Sequence, residues 1–205
     1  MGKLPPPCVE PTCKPIVPKS GYVPTVEEPL SSTAIRSGAS GAYYVANGQE
    51  VPLRTKTLVK ALVKNRPQIV SVVIPDCVET IGDDSFSDCK NLKSVVIGRG
   101  VKLIGNEAFA RCESLEVIRI PEGVTSIGGV STHNSTVNGG AFTGCKSLKE
   151  IYLPASLTRV SQYCGKNGTG LKFCPSLRAI LIPKGTTAKI APLLEPEVLD
   201  KLYEI

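Results

Sequence analysis

The chain of 205 residues has no tryptophan, one methionine, one histidine and only four phenylalanines. Each scarcity removes a class of reading. With His133 as the sole imidazole, a serine or cysteine triad would have to recruit it from the polar stretch GVSTHNSTVNG. Cys164 is the thiol best placed to approach it, and no orienting carboxylate can be named. Asp83 and Asp84 are adjacent, so their carboxylates point apart, and no glycine-rich loop fit to cradle a phosphate is present. The chain therefore reads as non-catalytic, with no cofactor. No apolar run approaches the ~20 residues of a membrane span, and MGKLPPPCVEPTCKP lacks the apolar core of about 7 to 15 residues of a secretory leader. An intracellular, virion or other assembly-associated protein is expected rather than a conventionally secreted one, so the sequons at Asn134 and Asn167 carry no weight.

Charge is modest. A net +6 includes a run without acids, Arg54, Lys56, Lys60, Lys64 and Arg66, whose lysines lie at helical spacing. No aromatic side chains are interleaved with them to stack on bases, so nucleic acid is disfavoured as a partner and a solvated basic face is preferred.

What the chain has is repetition. VETIGDDSFSDCKNLKSVVIGRG (78–100) is followed by VKLIGNEAFARCESLEVIRIPEG (101–123), a unit of 23 residues written twice in register. A period between about 20 and 50 residues marks stacked supersecondary units that bury their apolar faces against one another. The segment L-x-x-(V/I)-x-(I/L)-(P/G) returns as LKSVVIG, LEVIRIP, LKEIYLP and LRAILIP, with an earlier copy in IVSVVIP at 69–75. Apolar residues at alternate positions, such as Ile118 and Ile120, fit short strands with one face inward. Pro75, Pro121, Pro154 and Pro183 close four of the strands and Gly98 the fifth, since proline cannot donate to a ladder. The rest of each unit, V-x-x-I-G followed by A-F-x-x-C, is a return limb. Phe86, Phe109 and Phe142 should stack as a spine, and Cys89, Cys112, Cys145 and Cys174 should form a column. The register makes four of the eight cysteines small buried filler rather than disulfide or zinc ligands. Cys8 and Cys13 stand apart, as a local disulfide, a soft metal clip or free thiols.

These residues resemble the BspA-like, or treponemal-type, leucine-rich repeats, whose pattern is L-x-x-I-x-I-P followed by V-x-x-I-G-x-x-A-F-x-x-C. The likeness covers about 69–185. It implies an α/β-type repeat solenoid of about five rungs with a parallel sheet, and work in adhesion or protein binding without catalytic residues. Caps complete the array. A hairpin turns at Asn47-Gly48, a helix is expected from about Thr57 to Lys64, and Pro196 should open a C-terminal helix running to Tyr203 with Val198, Leu199 and Leu202 inward. The chain thus divides into a proline-rich arm (1–33, eight of 17 prolines), an N-terminal cap (34–68), the solenoid (69–185) and a C-terminal cap (186–205).

Two candidate surfaces follow, both suited to protein partners. Units three and four carry insertions at one place, side by side on one edge, contributing His133, Asn134, Tyr163, Lys166 and Asn167. The outward row of the sheet is Val73, Val96, Arg119, Tyr152 and Leu181, an apolar ladder with the Arg and Tyr common at protein-binding hot spots. A cap or the N-terminal arm is the alternative cover for that row. The function expected is that of a structural or accessory subunit of a larger assembly anchored by the arm, the alternative being a ligand-binding or adhesion module.

Overall fold

The computed structural model describes residues 43–52, 56–59, 63, 66–128, 140–160 and 169–205. The proline-rich arm, with Cys8 and Cys13, lies outside them.

Five strands follow the repeat: β4 (Ser71–Ile74), β6 (Ser94–Ile97), β8 (Val117–Arg119), β10 (Glu150–Tyr152) and β12 (Ala179–Ile182). Here β1 (Tyr43–Ala46), β2 (Gln49–Pro52), β3 (Thr57–Leu58), β5 (Thr80–Ile81), β7 (Leu103–Ile104), β9 (Ser126–Ile127), β11 (Arg159–Val160) and β13 (Leu202–Glu204) complete the numbering. The repeat strands pair in parallel, with Val73 opposite Val96 and Arg119 opposite Tyr152 opposite Leu181. Side chains alternate as the pattern requires: Ile118, Ile151 and Ile180 face the core and are essentially inaccessible. The ladder is interrupted between β6 and β8, so the sheet is hydrogen-bonded as two groups, β2-β1-β4-β6 and β13-β12-β10-β8.

The return limbs form a second parallel sheet of two-residue strands, β11-β9-β7-β5-β3. Between the sheets lies the core. Phe86 and Phe109 stack with centroids 5.4 Å apart, and Phe109 and Phe142 with centroids 5.8 Å apart. Beside this spine each thiol donates to the phenylalanine carbonyl one rung back: Cys112 to Phe86 (3.3 Å), Cys145 to Phe109 (3.2 Å) and Cys174 to Phe142 (3.2 Å). Cysteine suits this slot because it is small and its thiol can donate. Leu171 takes the aromatic slot of the last rung and Phe173 turns outward, 40% exposed.

Carboxylates bind the rungs from outside the core. Asp76 accepts from the Arg99 amide at 2.7 Å, Asp83 from the Asn106 amide at 2.7 Å, and Glu122 from the amides of Ala155 and Ser156. Ion pairs repeat the theme, as in Lys149–Glu116 at 2.6 Å and Arg111 with Asp88 and Glu107. Such exposed pairs contribute about 0.2 to 1 kcal/mol each and serve register more than stability.

The hairpin is as expected, and Asn47 adopts φ 49 in its turn. Its side chain also accepts from the amides of Val70 and Ser71 and donates to the Gln68 carbonyl, fastening the hairpin to the first rung. The helix expected over 57–64 is corrected: Thr57–Leu58 is strand β3, in register with Thr80–Ile81, and Leu58 fills the core slot that Ile81 fills one rung on. Lys56 therefore precedes a strand and pairs with Glu79 at 2.6 Å, while Arg66 donates to the carbonyls of Asp84 and Ser87; Arg54, Lys60 and Lys64 lie outside the described residues. At the other end a short helix, α1 (Thr187–Ile190), precedes a 3-10 helix over Pro196–Lys201 with Pro196 in its first turn. Val198 and Leu202 are buried as predicted, but Leu202–Glu204 is β13, a further parallel strand beside β12.

Candidate functional site: the outward row of the sheet

Alternation sends one side chain in two away from the core, so the register alone builds a row across the strands. In the C-terminal half it runs Arg119, Tyr152, Leu181 and Tyr203. The Arg119 guanidinium lies over the Tyr152 ring, 3.4 Å from its centroid, in a cation–π contact. Tyr152, Ala179 and Leu181 form a cluster of their own, separate from the core, with Val117 and Tyr203 packed against it. The Tyr152 hydroxyl lies 3.4 Å from the Glu150 carboxylate. Burial, the largest influence, pushes the Tyr152 phenol up, while Arg119 opposes it.

The row is not uniformly exposed. Val73, Val96 and Arg119 are half-buried, but Tyr152 is 8% exposed and Leu181 1%, and beside them the outward Glu150 and Ala179 are 2% and 0% exposed. The expectation of an open ladder thus holds for its first three members and is corrected for the last two. Sequence reasoning also missed Tyr203, because the spacing of Val198, Leu199 and Leu202 reads equally well as a helix.

The second candidate surface is seen only at its base. His133, Asn134, Tyr163, Lys166 and Asn167 lie outside the described residues, as does Cys164. The roots of the two insertions are nonetheless adjacent: the Phe142 amide donates to the Thr169 carbonyl at 3.0 Å, and a Cβ on Gly140 would sit 2.1 Å from the Gly170 nitrogen. Glu195 of the C-terminal cap, itself 7% exposed, clasps this junction, accepting from the Thr169 hydroxyl and the Gly170 amide at 2.6 Å each. Among the described residues no group of three His, Cys, Asp or Glu could hold a metal ion, and no helix is long and apolar enough to cross a membrane.

A model of the BspA type leucine rich repeat region matches residues 56–187 in six copies. The chain belongs to this family. The copy count exceeds the five main-sheet rungs because the match begins at Lys56, where β3 supplies the return limb of an incomplete first rung. The signal was present in the sequence, since Thr57-Leu58 matches Thr80-Ile81, yet two residues are too few to show a period.

Among solved structures, one agrees on the fold. A leucine-rich repeat protein from Eubacterium ventriosum is 24% identical over 80% of this chain and 40% of its own, with a TM-score of 0.51. A leucine rich cell surface protein from Faecalibacterium prausnitzii is 27% identical over 60% of this chain and 28% of its own, with a TM-score of 0.49. The leucine rich repeat protein of T. pallidum is 23% identical over 66% of this chain and 56% of its own, with a TM-score of 0.47. The chain thus spans less than two thirds of the length of each. A search of curated proteins gave no match. BspA-type membership implies a protein-binding or adhesion-type module, and members are typically non-enzymatic.

Proposed function

We propose that this BspA-type array is a non-catalytic protein-binding module whose recognition surface is the outward row of the sheet, and that it serves as a structural or accessory subunit of a larger assembly, anchored by the N-terminal arm. The observation that carries the reading is the packed strip of Arg119, Tyr152, Leu181 and Tyr203. Arg and Tyr are the residue types that dominate binding energy at interfaces, and here rigid strands fix them along one line. The insertion lobe beside Glu195 is a second surface for the same partner. Adhesion to a ligand is the other reading that membership in the family supports.

The test is affinity capture from native extract with the full chain, a chain lacking residues 1–33, and a full chain carrying Arg119→Glu and Tyr203→Ser. Loss of a stoichiometric partner on removing the arm supports the anchored subunit. Capture that survives truncation but fails with the double substitution supports recognition by the row, as expected of an adhesion module. Capture by none of the three overturns both readings.

A further inference from the structure

Among the described residues one Asn-Gly pair occurs, Asn47-Gly48 at the tip of the hairpin. Asparagine is a thermolabile residue, because the next backbone nitrogen can close a five-membered ring on its carboxamide carbon, and a following glycine puts no side chain in the way. Both residues are exposed, and a Cβ added at Gly48 would meet nothing within 4 Å, so no neighbouring element covers the turn.

The Asn47 carboxamide is nevertheless fully committed elsewhere. Nδ2 donates to the Gln68 carbonyl at 2.7 Å, and Oδ1 accepts from the amides of Val70 at 2.8 Å and Ser71 at 3.0 Å. The Asn47 amide donates to the Ser71 carbonyl at 2.9 Å, which fixes the backbone beside it. Ring closure needs the carboxamide carbon to swing onto the Gly48 nitrogen, and it cannot do so while three bonds aim it at the first rung. The rest of the hairpin's hold on β4 is short, with only Val45 opposite Val73 and Ala46 opposite Val72 in register. A short exposed element of this kind opens locally at a smaller cost than global unfolding.

We infer that Asn47 is a deamidation site held in check by its own clasp, and that its conversion releases the hairpin from the first rung. When the hairpin lifts, the Gly48 nitrogen gives its proton to solvent base and bonds to Asn47 Cγ. The Cγ–Nδ2 bond breaks, and Nδ2 takes up a proton from solvent and leaves as ammonia. Water then opens the cyclic imide at either carbonyl, leaving aspartate or isoaspartate at position 47, with no change in oxidation state. Aspartate has no Nδ2 donor and sets an oxygen against the Gln68 carbonyl. Isoaspartate runs the main chain through Cβ, which abolishes a turn that depends on φ 49 at Asn47 and φ 77 at Gly48. Neither product remakes the clasp, so refolding does not restore the docked cap. The edge of β4 that β1 covers is then left with unpaired backbone donors and acceptors, a template for another strand. This modification is independent of the proposed recognition row.

The test incubates the full chain at about pH 8.5, in buffer and in denaturing guanidinium chloride, and follows the peptide between Arg36 and Arg54, in which Asn47 is the one asparagine. Mass spectrometry reads the gain of one mass unit, with fragment ions assigning it to position 47. Conversion is expected to be at least about tenfold slower in buffer, the equivalent of about 1.4 kcal/mol. Val70→Pro, which removes one donor to Oδ1 and leaves Asn47-Gly48 intact, should raise the rate in buffer, in protein whose hydrogen-exchange protection over 86–112 matches wild type. Converted protein should exchange faster than fresh protein over 43–52 and 69–74 and equally over 101–123. A rate in buffer equal to or above that in denaturant, no response to Val70→Pro, or unchanged exchange over the hairpin and β4 after conversion overturns the inference.

Discussion

Raising the pH should destabilise the fold through the cysteine column. The thiols of Cys89, Cys112 and Cys145 are fully buried. Burial pushes Cys89 from 9.0 to about 11 and raises Cys112 well above its ordinary range, while Cys145 is raised by its hydrogen bond with the Cys174 thiol and by burial. In the unfolded chain a thiol ionises near 8.5. The folded state therefore holds its proton longer, so the stabilisation is complete below about pH 8.5 and is lost as pH climbs toward and through about 11. At pH 10 the difference for Cys89 amounts to about 2 kcal/mol, and Cys112 and Cys145, raised in the same direction, add to the loss. Urea unfolding at pH 7.5 and pH 10, under a thiol-free reductant, measures the loss. Cys112→Ala and Cys145→Ala should each be less stable at pH 7.5, yet each should lose less than wild type on going to pH 10. Tyr152, whose phenol is also raised, is present in all of these proteins and so cancels in the comparison. An alkaline loss of the same size in wild type and in both variants would refute the reasoning, because the thiols would then contribute nothing to it.

Phe109→Ala should cost about 4 kcal/mol in urea unfolding, because the ring is fully buried and stacks on Phe86 and Phe142; a cost below about 2 kcal/mol would deny the spine its part in stability. Glu195→Ala leaves the Thr169 hydroxyl and the Gly170 amide without their carboxylate and should destabilise the C-terminal cap by about 2 to 4 kcal/mol. Hydrogen exchange should quicken over 190–205 before it does over 69–120, and uniform acceleration would show that the clasp is not local.

The sequence carries the array well because the signals are local and recurrent. Phe, Cys and Ile return at fixed offsets, and the strands end where proline or Gly98 removes or loosens the ladder. What escaped has a physical cause in each case. β3 and β5 have two residues apiece, and a strand that short is specified by its neighbour across the ladder rather than by its own pattern. β13 follows a proline-started 3-10 turn, and Leu202 is inward in either conformation, so burial alone could not distinguish helix from strand. Asn47-Gly48 announced a turn, but not that the Asn47 amide would also bond three backbone groups more than 20 residues away. The row of Val73, Val96, Arg119, Tyr152 and Leu181 was legible as a line because side-chain alternation is exact. Its burial was not legible, because that depends on what lies above the sheet.

The bonds from Cys112, Cys145 and Cys174 to the ring-bearing residue one rung back give the units they join matching lower and upper surfaces. Phe109 receives Phe142 much as Phe86 receives Phe109, and Cys145 meets Phe109 as Cys112 meets Phe86. A unit such as 101–123 could therefore be duplicated or deleted whole by slippage in the coding DNA, leaving matched joints on both sides. Among the described residues, the hairpin held by Asn47 and the cap held by Glu195 are the parts unlike anything they touch. Those two ends bound the array, and the joint between units is indifferent to how many times it is repeated.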